Sequence, residues 1–82
     1  MDQNRLRWAT RRGMLELDLI LLPFLDNIFP SLTEQQQLLF EKLLECEDQD
    51  MFQWFLRKSD PEEADILTIV NIIRQNTGIQ PE

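Results

Sequence analysis

The stretch Asp60-Pro61-Glu62-Glu63-Ala64-Asp65-Ile66-Leu67-Thr68-Ile69-Val70-Asn71-Ile72-Ile73 decides how the rest of the chain is read. Aspartate, proline and two glutamates in that order announce a helix. Asp60 caps it, Pro61 sits in the first turn where no N–H is needed, and the acidic groups face the positive end of the helix dipole. Ile66, Ile69, Val70 and Ile73 then recur every three or four residues and fall on one buried face. Gly78 marks the stop, and residues 79–82 are expected to form a loose tail.

The same signals run toward the N-terminus. Thr33-Glu34-Gln35-Gln36 reads as a capping box, Thr33 as cap and Gln36 reaching back, ahead of a buried face of Leu39, Phe40, Leu43 and Leu44. A short helix over about residues 49–58 follows, capped by Asp48 or a neighbour. Met51, Phe52, Phe55 and Leu56 face inward, and Arg57 and Lys58 suit its negative end. Between about residues 14 and 29, Met14, Leu17, Leu21, Phe24 and Ile28 form one apolar stripe and Leu15, Leu19, Leu22 and Phe29 a second. That places this helix mid-bundle, with Pro23 expected to kink or divide it and Pro30 to help end it. A first helix over about residues 4–11 takes Asn4 as cap, turns Leu6 and Ala9 inward and gives way to Gly13. No stretch alternates with period two, so strands are not expected.

The predicted fold is all-α: a compact single-domain bundle of about five short helices over residues 1–82, with 1–3 and 79–82 as loose tails. At 82 residues, 43% hydrophobic and 28% charged, the chain is long enough for one dense core and too short for two. The single cysteine, Cys46, excludes an internal disulfide and fits a reducing compartment. No apolar run approaches the roughly 20 residues that span a bilayer, and no secretory leader is visible. A soluble, cytoplasmic chain without membrane insertion is expected.

Composition removes much catalytic equipment. The sequence has no histidine and no tyrosine, hence no imidazole base or ligand. Cys46 lies between Glu45 and Glu47, whose charges disfavour a thiolate, and reads as a packed structural thiol. Ser31 and Ser59 have no base to activate them. Glu45, Glu47, Asp48 and Asp50 lack the glycine and terminal glutamate of a calcium loop and read as a solvated, helix-capping corner. With only two glycines there is no glycine-rich phosphate loop. The net charge of −7 argues against a nucleic-acid partner. Charge is nonetheless polarised: the first twelve residues carry four arginines and one aspartate, and the rest four basic and fourteen acidic residues. A basic end of +3 on an acidic body of −10 can orient a partner during encounter.

The segment Arg11-Arg12-Gly13-Met14-Leu15-Glu16 supports two readings. In one, Gly13 permits a turn between helices, and Arg12 and Glu16 form a surface ion pair worth at most ~1 kcal/mol. In the other, backbone bared at Gly13 approaches a partner, with Arg12 and Glu16 as directed donor and acceptor.

At this motif the chain resembles the SdhE-type succinate dehydrogenase assembly factors, whose hallmark Arg-Gly-x-x-Glu is met by Arg12, Gly13 and Glu16. The wider string from Arg11 to Asp18, Leu22-Pro23-Phe24, Leu43-Leu44-Glu45-Cys46 and Asp50 through Trp54 also match, so the similarity covers about residues 5–75. Gln49 stands where bacterial relatives often have proline, and Met51 where they often have leucine. The resemblance implies a chaperone-like factor, not an enzyme. Such a factor binds the flavoprotein subunit of succinate dehydrogenase, and in bacteria of fumarate reductase, and promotes covalent attachment of FAD there. The FAD then belongs to the client, and none is expected to be tightly bound by this chain, which is expected to be a monomer when free. The implied partner-binding residues are Arg12, Gly13 and Glu16, with Arg11, Arg5, Arg7, Trp8, Asp18, Pro23 and Asp50. Two other functions compete: an FAD-binding carrier whose arginines meet the pyrophosphate, and an acidic antitoxin-like regulatory module.

Overall fold

The computed structural model describes residues 2–76. Among them are five α-helices and no strand: α1 (Gln3–Thr10), α2 (Leu15–Asn27), α3 (Glu34–Leu43), α4 (Asp48–Phe55) and α5 (Ala64–Asn76). A 3₁₀ turn, Phe29–Ser31, links α2 to α3 and carries Pro30. Gly78 and the predicted tail over 79–82 lie outside the described residues, as does Met1.

The core gathers one stripe from each helix. Leu6 of α1 and Leu17, Ile20, Leu21, Phe24 and Leu25 of α2 meet Phe40 and Leu43 of α3, Met51 and Phe55 of α4, and Ile66, Ile69, Val70 and Ile73 of α5. Phe40, fully buried, stacks on Phe24 at 5.5 Å between ring centroids and meets Phe29 tilted at 5.4 Å. Edge and offset contacts of this kind add about 0.5–1.5 kcal/mol to the burial itself. The capping box predicted for α3 is formed, with Gln36 N–H donating to Thr33 Oγ1 and Thr33 N–H to Gln36 Oε1.

Several boundaries differ from expectation, each for a local reason. α1 is capped by Asp2, whose carboxylate accepts the Arg5 N–H, and Asn4 lies inside the helix. α5 opens at Ala64, three residues past Pro61, directly after Glu63, whose carbonyl accepts the Leu67 N–H. Asp60 accepts from Arg74, and Glu63 pairs with Lys42 of α3. α4 starts at Asp48 after Glu47, which gives no side-chain cap, and ends at Phe55. Arg57 therefore lies past the helix at φ +62°, where its N–H and that of Lys58 bond back to Trp54 O and Gln53 O.

α2 is continuous through Pro23. The proline leaves the Leu19 carbonyl without its helical donor, and it does so on the side of the helix where Leu19 and Pro23 are exposed. The second apolar stripe expected on this helix is not buried as a whole. Leu15 and Leu19 are each 66% exposed, while Leu22 and Phe29 are half-buried and Ile20 and Leu25 take the core positions.

Candidate partner-binding site

α1 gives way to four residues of non-helical chain. Arg11 is extended, Gly13 takes φ +77°, and extended Met14 leads into α2. A positive φ is costly for any side chain but not for glycine. A Cβ added at Gly13 would meet nothing within 4 Å, so the turn faces open space.

Arg12 is anchored at both ends. Its backbone N–H donates to Asp18 Oδ1 in the first turn of α2 at 2.9 Å. Its guanidinium points across the bundle. Nε donates to Asp48 Oδ1 at 2.8 Å, Nη1 to the carbonyls of Ala9 and Leu44 at 2.9 Å, and Nη2 to the carbonyl of Cys46 at 3.2 Å. These acceptors are the helix-end carbonyls of α1 and α3 and a carboxylate at the start of α4, groups that helices leave without partners of their own. The Arg12–Glu16 ion pair of the first reading is not formed among the described residues. Glu16 is exposed on the first turn of α2, and its side chain makes no hydrogen bond or ion pair among the described residues. Asp48 likewise departs from the solvated acidic corner expected of it, because Arg12 holds it in a partly buried pair.

The remaining predicted site residues fall into distinct places. Trp8, 82% exposed, shares a shallow depression with Arg11. The guanidinium groups of Arg5 and Arg11 are unpaired among the described residues, whereas Arg7 forms an ion pair with Asp26 that ties α1 to α2. Pro23 lies on the outer face of α2 beside Leu19. Asp50 stands apart, lining a groove of about 380 Å³ with Cys46, Trp54, Asp60, Pro61, Glu62, Glu63 and Ile66. None of the other predicted site residues lines that groove. The Cys46 thiol is pushed above its ordinary pKa first by burial and then by Glu63, Asp50 and Glu45, with Arg12 opposing. Glu47, expected to act there, is not among the causes.

Sequence reading missed Leu15 and Leu19 as surface residues. A signal was present. A proline inside a helix belongs where water can reach the carbonyl four residues earlier, so Pro23 marks the solvent face, and Leu15 and Leu19 share it at spacings of four. It also missed Arg74, which donates to Trp54 O, Ser59 O, Asp60 and Asn71 and so fastens α5 to the α4–α5 connection.

Among the described residues, an exposed glycine turn lies between an internally anchored arginine and an unpaired glutamate on a five-helix scaffold, a candidate surface for a partner. A family model described as the flavinator of succinate dehydrogenase matches residues 4–77, and the chain belongs to that family. It is 50% identical over 81 residues to the FAD assembly factor SdhE of Pseudomonas aeruginosa, covering 99% of this chain and 94% of the relative. It is 46% identical over 81 residues to the protein of that name in Pseudomonas putida, covering 99% and 94%. With that of Shewanella oneidensis it shares 49% over 67 residues, 78% of this chain and 82% of the relative. These are names of assembly factors, not of enzymes. Among the described residues no helix is long and apolar enough to cross a membrane.

Proposed function

We propose that this chain binds the flavoprotein subunit of succinate dehydrogenase, and that of fumarate reductase, and promotes covalent attachment of FAD within that client. The relatives' names supply the process, and one observation supports the docking surface: Gly13 presents bare backbone outward beside the unpaired carboxylate of Glu16. Leu15 and Leu19 are also exposed on α2, and Trp8 and Arg11 share an exposed depression at the α1 end of the turn. Arg5 and Arg11, uncompensated at the basic end, orient the encounter. Docking holds a client arrangement in which FAD and the accepting side chain are well posed, a population shift that raises effective molarity at the reacting atoms. The chain works as a monomer in the cytoplasm.

The residues fit poorly with a carrier that holds FAD itself. A diphosphate needs converging cations, yet Arg12 is spent on internal carbonyls and Asp48, and Arg7 on Asp26. The 380 Å³ groove is walled by Asp50, Asp60, Glu62 and Glu63, whose charges repel phosphate. FAD therefore belongs to the client.

The test mixes the chain with apo flavoprotein and FAD and follows in-gel flavin fluorescence. Wild type accelerates labelling, whereas folded Gly13→Arg and Glu16→Ala variants do not. Normal labelling with both variants overturns the docking surface. Stoichiometric binding of free FAD revives the carrier.

A further inference from the structure

We infer that Arg12 is a positioning residue: its guanidinium holds the Gly13 turn in the shape that presents Glu16 and the bared backbone, and it does not itself touch the client. This rests on the docking reading above and assigns a different role to one of its residues.

The geometry leaves Arg12 little to offer. A guanidinium has five N–H donors in a rigid fork. Four are committed, to Asp48, Ala9, Leu44 and Cys46, and the side chain is only 17% exposed. Turning outward would strip donors from three carbonyls and leave the Asp48 carboxylate without its cation. The main chain of the same residue is fixed from the other side by Asp18. Arg12 is thus clamped between the α3–α4 junction and the first turn of α2, and Gly13 follows it directly. A Cβ at Gly13 would meet nothing within 4 Å, so no side chain packs on that side of the turn. The anchors on Arg12 are what fix its shape. Lysine cannot replace this fork, because a compact ammonium cannot span acceptors on three elements in one plane.

Asp48 makes the idea testable, because among the described residues its side chain bonds to Arg12 and to no other group. Affinity for the apo flavoprotein subunit of succinate dehydrogenase is measured by calorimetry for wild type, Glu16→Ala, Asp48→Ala and the double variant. All measurements are made well below the melting temperature, with Asp48→Asn as a shape-preserving second probe. A positioning role predicts that Asp48→Ala weakens binding about three- to tenfold and speeds amide exchange at residues 11–15. It also predicts that the Glu16→Ala loss shrinks in the double variant, since coupled residues do not add. A contact role predicts the reverse, because cutting the Asp48 tether frees the guanidinium for the client. If Glu16→Ala is impaired while Asp48→Ala and Asp48→Asn bind as well as wild type or better, the positioning role is overturned and the docking surface stands. If Glu16→Ala binds like wild type, the docking reading falls and this inference with it.

Discussion

Asp18 Oδ1 accepts the backbone N–H of Arg12 at 2.9 Å, so a carboxylate in the first turn of α2 reaches back across Gly13 and closes the turn. Glu16, two residues earlier on the same helix, reaches nothing among the described residues. If Glu16 belongs to the proposed docking surface, the two acids separate stability from docking. Asp18→Ala leaves a half-buried N–H without its acceptor and is expected to cost about 1–2 kcal/mol. Glu16→Ala removes an exposed, unpaired group and is expected to stay within about 0.5 kcal/mol of wild type. Urea unfolding of both variants checks this. Equal losses would mean that the carboxylate of Asp18 does not hold the turn.

Gly13 allows a similar separation. Its φ of +77° makes any side chain strained, yet a Cβ there meets no atom within 4 Å. The cost of substitution is then a backbone cost alone, about 1 kcal/mol, and nearly independent of side-chain size. Gly13→Ala and Gly13→Arg are expected to unfold at similar urea midpoints, both lower than wild type. If Gly13→Arg is much the less stable, the turn is more enclosed than this geometry allows. With a cost this small both variants are expected to fold, so their support of client flavinylation can be compared, and the larger side chain is expected to block docking more completely.

How much of this was legible in the sequence depends on how local each interaction is. The capping box of Thr33 and Gln36 and the stripe of Ile66, Ile69, Val70 and Ile73 use residues three or four apart, and both appear as read. The left-handed turn at Gly13 was legible for the same reason. Asp60 was misassigned as the cap of α5 because Arg74, the cation that claims it, comes from elsewhere in the chain, whereas Glu63 does stand at the helix start. Arg12 shows the same limit at the site. Its partner Asp48 lies 36 positions away, so local spacing offered a pair with Glu16 one turn on and gave no sign of Asp48. Leu15 and Leu19 were placed in the core because apolar character was weighed and the demand of Pro23 for a wet carbonyl was not.

The end of α4 offers a gain in stability. The N–H of Arg57 bonds to Trp54 O and that of Lys58 to Gln53 O, both at 3.0 Å, which is the paired closure that usually has glycine at its left-handed position. Here that position holds exposed Arg57 at φ +62°. Arg57→Gly relieves the strain without removing a hydrogen bond or ion pair made by the side chain among the described residues. The expected gain is about 0.5–1 kcal/mol, reduced by the added freedom of glycine in the unfolded chain. A higher melting temperature at unchanged flavinylation activity is the expected result, and a lower one would show that the Arg57 side chain contributes more than its backbone costs.

Cys46 links the fold to pH. Folding raises its pKa, through burial first and the carboxylates of Glu63, Asp50 and Glu45 after it, so the folded chain holds the thiol proton more tightly than the unfolded chain does. The resulting contribution to stability is fully present below the unfolded value, about pH 8.5. It is lost as pH rises through the folded value, because the unfolded chain releases its proton first. Wild type is therefore expected to lose more urea resistance between pH 7.5 and pH 10 than Cys46→Ala, whose residue at that position does not titrate. The thiol itself is expected to react with iodoacetamide more slowly at pH 8 than a cysteine in a short unstructured peptide, since only the thiolate attacks. Glu63 heads the charged causes, so Glu63→Gln is expected to quicken the reaction. Reaction at the peptide rate in the wild-type chain would mean that the thiol is neither buried nor shadowed by the acidic wall of its groove.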